Sequence, residues 1–216
     1  DAQESRGLGD VYKRQILYIL LAIILIALAA AGIHHYRVAL KNARTMSAYE
    51  KEKITYNNNL GKVLVVYYSL SGHTKEIADK IKELTNADIY EIQTAEKINT
   101  TPWFYLTLRN QIKKGEYPQL KEPLPALEQY DVVFVGGPVW WYTLATPLSS
   151  YLKQTDFLGK KVVPFSTQGS NAGSFLSDFA AQAKNAKIQI AAEFNNLPEK
   201  YNQAVDNKIA LWLNSL

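Results

Sequence analysis

Three stretches stay apolar through the length of a strand: KVLVVYY (Lys62 to Tyr68), DVVFVGG (Asp131 to Gly137) and KKVVPFST (Lys160 to Thr167). Successive side chains of a strand point to opposite faces of the sheet, so a strand with one face in water alternates in polarity. A continuous apolar run must be covered on both faces, which is the condition of a parallel sheet between two helical layers. The intervening segments have the spacing to supply those layers. Ile77, Ala78, Ile81 and Leu84 fall on one helical face, and further helices are predicted over 146–154, 174–185 and 199–216. ADIYEIQ (Ala87 to Gln93) alternates with period two, as a half-exposed edge strand does, and AKIQIAAEF (Ala186 to Phe194) is a fifth strand. The pattern predicts a doubly wound α/β domain with a five-stranded parallel sheet over residues 61–216. The segment Thr94 to Tyr130 should provide the crossover helix between strands two and three, with Trp103, Phe104 and Tyr105 as packing residues.

Ahead of this domain, ILYILLAIILIALAAAGI (Ile16 to Ile33) runs eighteen residues without a charge. As a helix it reaches roughly 27 Å, close to the thickness of a bilayer's hydrocarbon core. Residues 16–33 are therefore read as a transmembrane helix and 34–60 as a juxtamembrane tether. The small residues of ALAAAG also leave open a cleaved leader. DVYKRQ (Asp10 to Gln15) back-translates to GATGTGTATAAGAGACAG, a transposon end used in preparing sequencing libraries, so residues 1–15 are read as a sequencing artefact or a disordered lead-in. With Arg6, Lys13 and Arg14 set aside on that ground, Arg37, Lys41 and Arg44 favour a single-pass topology with the domain on the cytoplasmic side.

The formal charge of +4 sits largely in the first sixty residues; from Leu60 onward there are sixteen Lys and Arg against fifteen Asp and Glu. The domain thus lacks the basic excess that attracts a nucleic-acid backbone. The chain has no cysteine, which excludes disulfides, thiolate catalysis and zinc-thiolate sites. Its three histidines, two of them adjacent at His34 and His35, make no metal constellation.

In open α/β sheets ligands bind outside the carboxyl ends of the strands. The first strand leads into SLSGHT (Ser69 to Thr74). A helix start presents free N–H groups and a partial positive charge, Ser69, Ser71 and Thr74 add hydroxyls, and Gly72 lets the backbone approach an anion such as phosphate. Neither G-x-x-x-x-G-K-[ST] nor G-x-G-x-x-G occurs, which sets aside P-loop and dinucleotide-binding readings. At the second strand end, GGPVWWYTLATP (Gly136 to Pro147), a Gly-Gly-Pro turn is expected to push Trp140, Trp141 and Tyr142 outward, where they can stack on a planar ring. The third, STQGSNAGS (Ser166 to Ser174), offers backbone and amide donors to a ring edge. Together they describe a ligand with a phosphate at one end and a flat aromatic system at the other.

These residues resemble the flavodoxin family: SLSGHT its phosphate loop, GGPVWWYT the second loop of a subgroup with Pro-x-Trp-Trp, and FSTQGSNAGS the third. The resemblance covers about 60–216 and implies the strand order 2-1-3-4-5, of the short-chain type. It implies FMN held without a covalent bond. Ser69, Leu70, Ser71, Gly72, His73 and Thr74 would surround the phosphate. Pro138, Val139, Trp140, Trp141 and Tyr142 would line one side of the ring, with Thr167, Gln168, Gly169 and Gly173 near its other edge. The flavin would carry the redox chemistry, and no catalytic side chain or metal is implied. Three functions follow as expectations. The first is a membrane-tethered FMN electron-transfer protein with a redox partner protein or quinone. The others are an FMN-dependent NAD(P)H:quinone-type oxidoreductase and a cofactor-free interaction domain.

Overall fold

The computed structural model describes residues 2–98, 100–101 and 103–216, with the backbone alone over 2–10. The reading of residues 1–15 as artefact or lead-in falls partly outside the described residues. The chain divides into two compact units, Asp1–Thr45 and Met46–Leu216. In the first, the helix α1 (Ala2–Ser47) contains the charge-free run, whose side chains are exposed from Ile16 to Ile33. By length and composition its described part is a candidate membrane span.

The second unit is built on β1 (Val63–Tyr67), α2 (His73–Thr85), β2 (Asp88–Glu91), α3 (Phe104–Lys114), β3 (Val132–Trp140), β4 (Thr143–Leu144), α4 (Thr146–Gln154), β5 (Lys161–Gln168), α5 (Phe175–Gln182), β6 (Lys187–Ile188), β7 (Ala192–Asn195) and α6 (Asn202–Asn214). The sheet order is β2-β1-β3-β5-β6, with β7 also on β5 and β4 antiparallel to the end of β3. The main path is parallel throughout, in the doubly wound order expected. The period of two explains the sheet's burial. Leu64, Val66, Val133 and Val135 enter a core with residues of α3, α4 and α5, while Val63, Val65, Val132 and Phe134 enter a second core with residues of α2 and α6.

Two elements differ from the sequence reading. The expected fifth strand is broken into β6 and β7, and the short β4 pairs with the end of β3, so the sheet has seven strand segments in place of five. Val162 pairs with Ile188 but Phe165 with Ala192, so one extra residue is accommodated, a β-bulge. Ile190 lies in the gap, exposed, and its carbonyl accepts the Trp212 indole N–H at 2.8 Å.

The segment read as a tether up to residue 60 is not free along its length, because the compact unit begins at Met46. Met46 is buried with Tyr201 and Ala204. Beyond it, the fully buried Asn207 of α6 donates through Nδ2 to the carbonyls of Tyr49 (2.9 Å) and Lys51 (3.2 Å) and accepts the Ile54 N–H at Oδ1 (2.9 Å). Further along, Asn57 N–H donates to Asn214 Oδ1 at 2.8 Å and Asn58 Nδ2 to the Leu213 carbonyl at 3.0 Å. Asn207→Leu keeps about the same volume but leaves these part-buried backbone groups without their side-chain partner, so a loss of about 2 kcal/mol is expected. Hydrogen exchange should rise first at Ile54, and unchanged protection there would show that the strap is held elsewhere.

Candidate functional site

The first loop joins β1 to α2. Gly72 takes φ 94° as the N-cap of α2, its N–H donates to Ser69 Oγ at 3.1 Å, and its carbonyl receives the Glu76 N–H at 3.0 Å. The N–H groups of His73, Thr74 and Lys75 therefore precede the first i→i−4 bond and lie at the open helix end. Leu70 and Ser71 are exposed, and Ser69 and His73 half-buried. Thr74 is buried, with its Oγ1 2.7 Å from Thr167 Oγ1 of β5. One hydroxyl of the pair donates to the other, which keeps its own proton for a further acceptor. Thr167, which the sequence reading put near the ring's other edge, is bonded to the first loop.

The second loop corrects an expectation. Gly136, Gly137 and Pro138 do not turn the chain; they lie inside β3. The two glycines serve packing: a Cβ at Gly136 would meet Phe165 Cζ at 2.2 Å, and one at Gly137 would meet Leu148 Cδ2 at 2.9 Å. The turn comes three residues later, where Trp140 pairs with Thr143 around Trp141 and Tyr142. These two have φ 48° and 63°, the backbone of a type I′ hairpin that usually takes Asn-Gly. For an L-residue the left-handed region costs roughly 1–2 kcal/mol, so two aromatics there need fixing from outside. The Tyr142 carbonyl accepts the Ser174 N–H (2.7 Å), and Ser174 Oγ lies 3.0 Å from it. Asp178 Oδ2 accepts the hydroxyls of Thr143 and Ser174. The Trp141 indole N–H donates to the Tyr105 carbonyl at 2.7 Å, and the Arg109 guanidinium lies 5.3 Å from the Trp141 ring centre.

The turn holds Trp141 and Tyr142 outward, but Trp140 points inward. It is buried edge-on to Tyr68 and Phe104, with ring centres 5.6 and 5.4 Å away. Alternation along β3 does not explain this: Val133 and Val135 face the core that Trp140 joins, so a strict period of two would send Trp140 to the opposite face, and beyond the last β5 pairing at Pro138 it packs instead with Tyr68 and Phe104, beside Val139. The packing reading of Trp103, Phe104 and Tyr105 is likewise divided: Phe104 is buried, and Trp103 and Tyr105 are exposed.

The third loop closes on the second. Gly173 has φ 57°, and a Cβ there would sit 2.2 Å from the Tyr142 carbonyl oxygen, so only glycine lets the two loops approach this closely. Gln168 is buried and accepts the Ser166 hydroxyl at 3.0 Å, while Gly169 is exposed beside open space. Between the loops lies a cleft of about 410 Å³ lined by Tyr105, Val139, Trp141, Tyr142, Gln168, Gly169, Ser170 and Asn171. A second cleft, of about 750 Å³, borders Tyr68, Ser69 and Leu70 with Glu91, Lys97 and Lys121. Sequence reasoning missed Tyr105, Arg109 and Asp178, for no local spacing ties them to the loops. Ser174 was in the quoted third loop, where its hydroxyl was the available signal.

Tyr68, at the base of the first loop, is pushed up to about 12 by burial and then by the Glu91 charge. The folded state thus holds the phenol proton more tightly than the unfolded chain. This stabilisation is complete below the ordinary tyrosine value near 10 and is lost as pH rises through about 12. Stability measured by denaturant should fall across that interval, and Tyr68→Phe should flatten the fall. An equal slope in both proteins would place the titration elsewhere.

A parallel sheet in this order, with three loops tied together at its carboxyl edge, defines a flavodoxin-like α/β protein. The chain belongs to the flavodoxin family, whose model, described as Flavodoxin, matches residues 62–214. It is similar to a flavoprotein from Lactobacillus acidophilus solved in complex with FMN, with 26% identity and a TM-score of 0.56, covering 61% of this chain and 92% of that one. It is also similar to a putative flavoprotein from Bacteroides uniformis, with 25% identity and a TM-score of 0.58, covering 71% and 97%. A curated relative, NAD(P)H dehydrogenase (quinone) of Azorhizobium caulinodans, is 27% identical over 100 residues, 44% of this chain. The match spans 47% of that relative's length.

Proposed function

We propose that the carboxyl edge of the sheet holds FMN and that the chain, tethered to a membrane by the apolar run of α1, transfers electrons through it. The observation that carries this reading is the joining of the three loops. Thr74 bonds to Thr167, and Ser174 and Gly173 lock the Trp141-Tyr142 turn against the third loop. A phosphate end and an aromatic end are thereby built as one site.

The residues present fit such a group. The loop from Ser69 to Thr74 contains no carboxylate, and a Cβ at Gly72 would meet nothing within 4 Å, so an anion can reach the first-turn N–H groups. At the other end, Trp141 and Tyr142 are outward-facing rings suited to a flat heterocycle, with the Gln168 amide and the Gly169 backbone across the cleft. When bound, FMN supplies one- and two-electron redox chemistry. The chain's part is to bind and orient it. No Asp, Glu, His or Lys is among the residues lining the cleft, so the lining supplies no charged acid or base. Trp140, Pro138 and Val139 support the aromatic end from β3, and Leu70, Ser71 and His73 border the phosphate end.

The NAD(P)H dehydrogenase (quinone) relative supports a second reading, an FMN-dependent NAD(P)H:quinone oxidoreductase. In either case Arg37, Lys41 and Arg44 favour the domain on the cytoplasmic side. The full chain purified in detergent should be yellow, or become so with added FMN. A protein that stays colourless and leaves FMN fluorescence unchanged would remove both readings. Consumption of NAD(P)H with a quinone would favour the enzyme, and its absence the electron carrier.

A further inference from the structure

We infer that Arg109, seated on Trp141 from outside the cleft, raises the reduction potential of the site, its charge favouring the reduced form of the flavin. This rests on the FMN reading above and adds to it a side chain that does not line the cleft. Trp141 is one of the rings that do, and its indole N–H is held by the Tyr105 carbonyl at 2.7 Å. Arg109 stands four residues beyond Tyr105 on α3, one turn along the same helical face. Its guanidinium therefore reaches the ring that the Tyr105 carbonyl has fixed. It lies 5.3 Å from the Trp141 ring centre, within the range of a cation–π contact. Tyr105, Val139, Trp141, Tyr142, Gln168 and Gly169 line the cleft and Arg109 does not, so the cation backs the indole wall and leaves the cleft open to a flat ligand.

The charge is not cancelled where it stands. Arg109 is exposed and makes no ion pair among the described residues. The carboxylate bonded at this turn is Asp178 of α5, which accepts the hydroxyls of Thr143 and Ser174; those two dipoles offset part of its charge. None of the residues lining the cleft carries a charge of its own. Reduction of a flavin by two electrons with uptake of one proton leaves one negative charge on the ring system. A fixed cation behind a stacked indole attracts that charge, whereas the neutral oxidised ring offers it no net charge to attract. Arg109 thus acts on the potential and leaves the affinity for oxidised FMN nearly unchanged.

The test is a charge series at one position. The full chain in detergent, loaded with FMN, is reduced stepwise with dithionite beside a dye of known potential. Arg109→Gln removes the charge and keeps a polar side chain, and the ratio of reduced to oxidised flavin at a fixed potential should fall about fivefold, or about 20 mV for a two-electron couple. Arg109→Lys should stay closer to the parent than to the glutamine variant, and Arg109→Glu should shift about twice as far as glutamine does. Fluorescence titration with oxidised FMN should give nearly the parent's affinity in all three, because the Tyr105 carbonyl still holds the indole. A glutamine variant at the parent's potential would overturn the inference. So would a lysine variant shifted as far as the glutamine one, which would assign the effect to lost stacking in place of charge. A parent chain that stays colourless with added FMN would sink the FMN reading and this inference together, whereas yellow proteins of equal potential would sink this inference alone.

Discussion

Replacing Gly72 by Leu is expected to lower FMN affinity at least about a hundredfold, equivalent to about 2.7 kcal/mol. Two effects act together. At φ 94° the backbone holds its first-turn N–H groups toward the loop's open side, and a side chain there costs roughly 1–2 kcal/mol in the left-handed region. The space around a Cβ at Gly72 is empty to 4 Å, so the leucine side chain leaves the backbone without a clash at its first atom. It then occupies the approach that a phosphate would need. Titration of FMN fluorescence with the cofactor-free chain measures the effect. Gly72→Ala separates the two causes, since it carries the backbone strain with little of the bulk. Equal affinities for the parent and the leucine variant would show that the phosphate is held elsewhere.

Gly136→Ala should lower stability by about 3 kcal/mol, and Tm by roughly 6–12 °C, through overpacking. Gly136 pairs directly with Phe165 on β5, and the phenyl ring lies across the glycine. The added Cβ would sit 2.2, 2.3 and 2.4 Å from three atoms of that ring. Phe165 is fully buried in the core shared with α2 and α6, so the ring has nowhere to move. Gly169→Ala is the contrast, because nothing lies within 4 Å of its added Cβ; its effect on stability should stay within about 0.5 kcal/mol. Adding Phe165→Leu to Gly136→Ala should recover part of the loss, since the two positions share one contact. A Gly136→Ala protein that melts with the parent would mean that the sheet can spread at this point.

The same glycine marks a limit of reading the sequence. Gly-Gly-Pro is a strong local turn signal, yet Gly136 to Pro138 continue β3 because Phe165 and Leu148 need the space that missing side chains leave. Local chemistry was silent on the Trp141-Tyr142 turn, which lacks the glycine or asparagine such a backbone usually takes and is held by Ser174 from another loop. In the fifth strand the period-two pattern was legible, but the bulge between Ile188 and Ala192 depends on β5 and on the Trp212 indole. Asn57 and Asn58 looked like linker composition, yet they bond to α6 residues more than a hundred positions away.

By itself the sequence determined the alternation of doubly buried strands and helices, the three loops at one edge of the sheet, and the charge-free run ahead of the domain. Those features repeat at the periods of strand and helix or sit in contiguous motifs, so they are local properties of the chain. Tertiary structure alone decided that Trp140 packs inward while Trp141 and Tyr142 face out, that Thr74 meets Thr167, and that the strap is held against α6 by Asn207. Each of these depends on where a second, distant segment places its atoms, which no periodicity within one segment encodes.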